Sequence, residues 1–418
     1  MRTAVVAGPD AGHAFPALAL CRRLRDAGDT PILYTGPGWL APAAADGTTA
    51  RLLRGLEPEP GDADLDAGRR IHQRAARMAE LLRDDLADES LDLVIADVLT
   101  AGGGLAAELL GLPWVELSPH PLYRPSRSLP PIGSGLESGR GPLGRGRDIL
   151  LRTMTGRAVR AGLRQRSQAR VGIGLPAVDP GPTARLIATI PDLELARVDW
   201  PVEARVVGAL HWEPTDVVLE PPPGTAALVM VAPSTAATGA PGMLEATVEA
   251  LADLPVRVVI SALDRPEGVP DHMVAGAGRQ DLLLEAADVV VCGAGHGLLT
   301  KALTRGVPVV AIPGGGDQWE LAQRAARRGS AVVVRPATAE LVRTAVRTVL
   351  DDPSYRRAAQ RAAGGAQRVV DPVAICHAVV EDAAARGAPE GGRRFDPAPT
   401  ERRGTEGSAD SSTVAPCV

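Results

Sequence analysis

The chain has very few aromatic residues: five Trp, three Tyr and two Phe, 2% of 418 positions. That scarcity argues against an aromatic-rich carbohydrate platform and against a base-stacking nucleic-acid surface. Charge of one sign is also missing, with 45 Lys and Arg against 50 Asp and Glu and a net charge of −5. Without a basic domain, nucleic acid is not an expected partner. Cysteine is sparse as well. Cys21, Cys292, Cys376 and Cys417 show no metal-ligand spacing and no paired pattern, which favours a reducing cytoplasm. No apolar run approaches bilayer length, and the first apolar residues, Thr3 to Ala7, run into a glycine turn rather than forming a secretory leader. The expectation is a soluble cytoplasmic protein with at most peripheral membrane contact. No Gly-Lys-Ser/Thr occurs, so a triphosphatase phosphate loop is not supported.

What is present is an alternation of short apolar runs and helical patterns, in two halves. The first half opens with a strand at Thr3 to Ala7, a loop from Gly8 to His13 and a helix with Pro16 in its first turn, stopping near Gly28. Strands at Pro31 to Tyr34, Leu91 to Ala96 and Pro113 to Leu117 follow, with a helix from Ile71 to Leu86 and another after the Gly102-Gly103-Gly104 turn. Ser118 to Gly146 is rich in Pro, Gly, Ser and Arg and reads as a long loop over an opening. Helical periodicity returns from Ile149 to about Arg170, and Pro191 to Leu210 reads as strands and turns. The second half repeats the alternation from Ala226 to Val334 and ends in helices at Ala339 to Leu350, Ser354 to Val370 and Val373 to about Ala385. These patterns predict an α/β protein with two doubly wound parallel sheets, in residues 1–212 and 225–385. Residues 213–224 read as a linker and 386–418 as a disordered tail.

The richest stretch is Gly293-Ala294-Gly295-His296-Gly297, between the buried run ending at Cys292 and a helix. A second strand then breaks at Pro313-Gly314-Gly315-Gly316, followed by Asp317-Gln318. Strand, glycine turn and helix at one sheet edge offer backbone amides and a helix N-terminus to phosphate oxygens. An acid-amide pair on the next loop suits sugar hydroxyls. The combination points to a nucleotide sugar.

With those residues in view, the chain resembles the large inverting GT-B glycosyltransferases, among them actinobacterial natural-product and glycolipid enzymes and the UDP-glycosyltransferases. The resemblance rests on Gly12-His13-Ala14-Phe15-Pro16 with Leu18, Leu20, Leu24 and Gly28, and on Gln280, Leu283-Leu284, Ala287 to Val291, the glycine turn, Ala302-Leu303, Gly306-Val307-Pro308 and Asp317-Gln318, in the family's order and spacing. It implies a GT-B fold of two Rossmann-like domains facing across a cleft, acceptor side first, and transfer of a hexose from a UDP or dTDP sugar. The implied acceptor is a small molecule, peptide or lipid. No cofactor and no metal are implied. Asp62-Ala63-Asp64 has a metal-binding spacing but sits in a polar loop of the first half.

The resemblance carries His13 over as general base, with Asp97 as its orienting carboxylate. Imidazole titrates near working pH, a helix N-terminus alone would depress its pKa, and a carboxylate on the other ring nitrogen restores basicity and fixes the tautomer. Read without the family, His13 is a loop cap and Asp97 a helix cap just as well. Ser234, Thr235, Gln280, Gly295, His296, Gly297, Asp317 and Gln318 are the expected donor residues, and Phe15 and His120 the expected acceptor residues. One departure stands out: Gly293 occupies the position where the family usually has a His or Asn bonding the diphosphate. Two other readings remain, a catalytically silent partner protein of the same fold and a sugar-nucleotide 2-epimerase.

Overall fold

The computed structural model describes residues 1–59, 65–234, 239–262 and 266–387. The first half runs β1 (Arg2–Val6), α1 (Ala11–Asp26), β2 (Thr30–Thr35), α2 (Leu40–Ala45), β3 (Thr49–Leu52), α3 (Ala67–Ala87), β4 (Leu93–Asp97), α4 (Gly102–Leu110), β5 (Trp114–Ser118), α5 (Gly141–Gly172), β6 (Ala184–Ile187) and β7 (Ala204–Val206). The second runs β8 (Leu228–Ala232), α6 (Met243–Ala252), β9 (Arg257–Ser261), β10 (Val274–Gly276), α7 (Gln280–Ala286), β11 (Val289–Cys292), α8 (His296–Thr304), β12 (Val309–Ala311), α9 (Gln318–Arg327) and β13 (Ala331–Val333). Three helices close the chain, α10 (Ala339–Asp351), α11 (Pro353–Ala366) and α12 (Pro372–Gly387).

The strands form two parallel sheets, β3-β2-β1-β4-β5-β6-β7 and β10-β9-β8-β11-β12-β13. Every residue of β4, β8 and β11 is buried, as strands covered by helices on both faces require. In each sheet the order reverses beside the first strand, between β1 and β4 and between β8 and β11. Doubly wound sheets bind ligands in the crevice outside such a reversal. Register fixes which residues meet there. Val6 pairs with Ala96, so Asp97 emerges level with the loop after β1. Ala232 pairs with Cys292, which brings the loops after β8 and β11 together. Both of the expected doubly wound domains are present.

Several boundaries differ from the sequence reading. Helix α1 begins at Ala11, so His13 lies in its first turn and Pro16 in its interior. A proline ring there crowds the carbonyl four residues back and offers it no N–H. That residue is Gly12, which has space around it. The Gly102-Gly103-Gly104 segment is not a turn but the start of α4. A Cβ at Gly102 would meet Met78, one at Gly103 would meet Ala96 and Val6, and one at Gly104 would sit 2.8 Å from Trp114 ring carbons. Glycine there lets a helix lie against its sheet and α3 at close range. The loop after β5 ends at 140, where α5 starts. Strand β6 was not read from the sequence. The tail expected to be disordered lies outside the described residues from 388 onward, and Arg386 and Gly387 belong to α12.

The last helix follows the second domain in sequence but packs on the first. Val373, Cys376 and Val379 of α12 join the core of Leu18, Leu33, Val115 and Leu186, and His377 Nε2 lies 2.8 Å from an Asp29 carboxylate oxygen. Among the described residues no helix is long and apolar enough to cross a membrane. The α12 packing can be tested directly. Cys376→Asp places an unpaired carboxylate at a fully buried site beside Asp29 and should cost about 3 kcal/mol. In calorimetry the unfolding of the first domain should shift to lower temperature, although the substitution lies beyond the second domain in sequence. An unchanged profile would contradict the packing.

Candidate active site

His13 and Asp97 are brought together at the first reversal point. His13 Nδ1 lies 2.9 and 2.8 Å from the two Asp97 carboxylate oxygens. Asp97 is completely buried and also accepts from the Leu99 amide at 2.9 Å. Thr100 ties the following turn back to β1 by donating to Val6 O at 2.9 Å. A carboxylate can only accept, so Nδ1 carries the proton and Nε2 is left as the basic nitrogen. Burial lowers the pKa of His13, but the Asp97 hydrogen bond and charge, with Asp10 and Asp317 behind them, outweigh it and hold the pKa above 6.5.

The acceptor-side residues do not all converge. The His120 ring meets His13 edge-on at 6.3 Å and stacks on Tyr123 at 4.4 Å, and burial lowers its pKa. Its Nδ1 lies 2.8 Å from Pro121 O. Phe15 goes elsewhere. Two residues along a helix from His13, it points to the opposite side and packs with Trp39 and Trp212 at 5.0 and 5.2 Å.

On the other side of the cleft, the glycine turn and the Asp317-Gln318 loop share an edge with Ser234. Gln318 is buried; its Oε1 accepts from Gly314 N at 2.9 Å and its Nε2 donates to Ser234 Oγ at 3.1 Å. A Cβ at Gly293 would lie 3.1 Å from Gln318 Oε1 and 3.4 Å from Ser234 Cβ. The side chain missing at Gly293 is therefore matched by Gln318 folding toward that space. Ala294, fully buried, holds a left-handed φ of 57°, a strained conformation that side chains other than glycine adopt mainly at constrained sites. Gly295 caps α8 and Gly297 is exposed in its first turn. Gln280 opens α7 and bonds to neighbouring elements. Its amide donates to Glu213 at 3.1 Å, its Oε1 accepts from Lys301 at 3.1 Å and its Nε2 points to Ser261 Oγ at 3.4 Å. Thr235 lies outside the described residues. Among those described, no group of three His, Cys, Asp or Glu side chains could hold a metal ion.

Two residues that the sequence reading passed over join the halves. Tyr123 O–H donates to Asp317 Oδ2 at 3.3 Å, linking the loop after β5 to the sugar-type carboxylate. Thr189, just after β6, bonds His296 Nε2 at 2.9 Å. His211 Nε2 makes the matching bond to Thr300 Oγ1 at 3.0 Å, one turn along α8. Burial holds both imidazoles neutral: it lowers the His211 pKa to about 3, with help from Lys301, and that of His296 well below 6.5. Tyr123 is one of three tyrosines in the chain, which is the one sequence signal that it offered. Thr189 offered none.

Residues 245–381 match the erythromycin biosynthesis protein CIII-like C-terminal domain. Over 400 residues, 86% of this chain and 94% of the relative, the sequence is 29% identical to the 4'-demethylrebeccamycin synthase of Lentzea aerocolonigenes. Over 187 residues, 43% of each chain, it is 31% identical to a PGL/p-HBAD biosynthesis glycosyltransferase of Mycobacterium tuberculosis. The fold is similar to the crystal structure of the glycotransferase of kitacinnamycin, with a TM-score of 0.71 and 22% identity over 93% of this chain and 99% of that one. It is also similar to glycosyltransferase VinC in complex with dTDP, with a TM-score of 0.66 and 20% identity over 93% of this chain and all of that one. The family resemblance and the GT-B fold expected from the motifs both hold.

The two His–Thr bonds make the interface between the domains sensitive to acid. A histidine whose native pKa is depressed takes up protons only on unfolding, so stability falls as pH drops below about 6.5. His13, with its raised pKa, works in the opposite direction. The melting temperature should fall between pH 7.5 and pH 5, and His211→Asn should show a smaller fall than the unaltered protein. Equal falls in both would remove His211 from the effect.

Proposed function

We propose that this chain is a GT-B glycosyltransferase that moves a hexose from a UDP or dTDP sugar to an acceptor hydroxyl with inversion at the anomeric carbon. In this reading residues 1–212 form the acceptor half, and residues 225–385, apart from α12, which packs on the first domain, form the donor half. The acceptor is a small molecule, a peptide or a lipid. The observation that supports it most is the His13–Asp97 pair at one reversal point, with the Asp317 charge of the other domain near enough to act on it.

The acceptor O–H gives its proton to His13 Nε2 as the oxygen attacks the anomeric carbon. Asp97 keeps the ring in the right tautomer and stabilises the imidazolium that forms. The bond from the sugar to the phosphate opens on the opposite face, and its electrons leave with the diphosphate. Backbone amides around Gly295 and Gly297, the N-terminus of α8 and the Ser234 hydroxyl meet that charge. His296 opens the same helix, and its Nε2 is already engaged by Thr189, so its contribution to phosphate comes from the main chain. Asp317 reads sugar hydroxyls, while Gln318 shapes the pocket from behind, bonded to Gly314 and Ser234.

Gly293 in place of a phosphate-binding side chain favours one other reading, a catalytically silent partner protein of the same fold. The two differ in turnover. His13→Ala should lower the transfer rate about 10²–10⁴-fold, the usual contribution of a general base, and leave nucleotide affinity unchanged in calorimetry. Near-normal turnover in that variant would sink the assigned base. The pH profile gives a second check. The active form is neutral His13, so the rate should drop on the acid side with an apparent pKa above 6.5. Asp97→Asn removes the interactions that raise that pKa, so the acid limb should move to lower pH while the maximum rate falls. A limb that stays in place would mean that another group is titrating.

A further inference from the structure

The loop from 119 to 140 carries His120 and Tyr123 and has no regular structure, yet its far end does not lie free over the cleft. Three main-chain groups at its tip are taken by side chains of α9. Trp319 Nε1 donates to Ser134 O at 3.3 Å, Gly135 N donates to Glu320 Oε2 at 2.7 Å, and Arg327 donates to Gly135 O at 2.7 Å. These partners lie 185 to 192 residues away in sequence and in the other domain. Surface loops ordinarily leave such groups to water. Here Glu320 is only 3% exposed and is braced by Arg324 Nε at 3.0 Å, so the contact is desolvated rather than a surface ion pair. Gly135 is fitted to it. Its φ is +64°, and a Cβ there would lie 2.7 Å from Trp319 Cδ1.

We propose that Gly135, Trp319 and Glu320 are positioning residues that fasten the acceptor loop to α9, the helix that follows Asp317. Trp319 and Glu320 stand in the first turn of that helix, directly after Gln318. The wall of the acceptor cleft and the carboxylate that reads the sugar are thereby set by one rigid element, with Tyr123 as a second tether. Calling this loop the acceptor loop rests on the glycosyl-transfer reading. The consequence lies in the partition of the donor. With the loop fastened, the acceptor oxygen is the available nucleophile. With it released, water reaches the anomeric carbon: its oxygen bonds to that carbon, its proton goes to His13, and the nucleotide diphosphate leaves with the electrons of the broken bond.

The test compares the unaltered protein with Gly135→Ala and with Trp319→Phe, which keeps a ring but loses the indole N–H. Trypsin cleavage after Arg127 and Arg140 reads the loop, calorimetry with UDP and dTDP reads the donor half, and free sugar released from UDP-glucose and dTDP-glucose without acceptor reads the partition. In Gly135→Ala, cleavage should accelerate about tenfold and sugar release about fivefold, while nucleotide Kd stays within about twofold. Trp319→Phe should move both rates in the same direction by less. Unchanged cleavage and release in both variants would overturn the proposal, as would a nucleotide Kd that weakens in step with release. A protein that binds neither nucleotide and releases no sugar refutes the glycosyl-transfer reading instead, and the cleavage rates alone then decide the fastening.

Discussion

A carboxylate with no access to water has to be satisfied inside the protein, and Asp97 is such a group. Hydrogen bonds to a buried charge are worth about 1.5–3 kcal/mol each, and leaving the charge unpaired costs more. The Leu99 amide and the His13 ring together meet this demand. Much of the first domain serves to bring them into place. The β1–β4 register levels the two loops, Thr100 pulls the second toward the first, and the early start of α1 turns His13 into the cleft. The same proximity to a buried anion that stabilises the fold also gives the imidazole its raised basicity. Stability and chemistry therefore draw on one contact.

Two helices of the second domain meet the first with different chemistries. Helix α8 presents His296 to Thr189 and Thr300 to His211, so that each contact joins a hydroxyl to a neutral, desolvated imidazole. Helix α9 presents charged and aromatic side chains to bare main chain, and its Arg324 also donates to Leu193 O at 2.9 Å. Hydroxyl–imidazole bonds of that sort are short-range and weakly affected by salt, whereas the α9 contacts include desolvated charge. The glycine turn between β11 and α8 holds its strained Ala294 two residues before His296, where the α8 contacts begin. A conformation of that kind persists only where its surroundings fix it.

The alternation of apolar runs and helices was legible because buried parallel strands are continuous and short, as Val289 to Cys292 shows. The two domains, the glycine turn, and the His13, Asp97 and Asp317 positions all followed from that alternation together with the motifs. Elements whose signal was borrowed from neighbours were not legible. Gly102 to Gly104 read as a turn because nothing in the chain announces that Trp114 and Met78 press against that helix. Phe15 stood among the expected acceptor residues, while helical geometry sends it and His13 to opposite sides. Tyr123, Thr189 and Trp319 gain their meaning from partners in the other domain, and separations of that length leave no local pattern.

The return of α12 has a mechanical consequence. The backbone passes between the two domains twice, once after β7 and again between α11 and α12. The two passages run side by side: Val370 N donates to Val206 O at 3.4 Å, and a Cβ at Gly208 would lie 3.1 Å from Val369 Cγ2. A single tether would permit swivelling in any direction. Paired crossings at one edge act as a door hinge, leaving rotation about one axis and suppressing twist, so each swing brings the same two faces back into alignment.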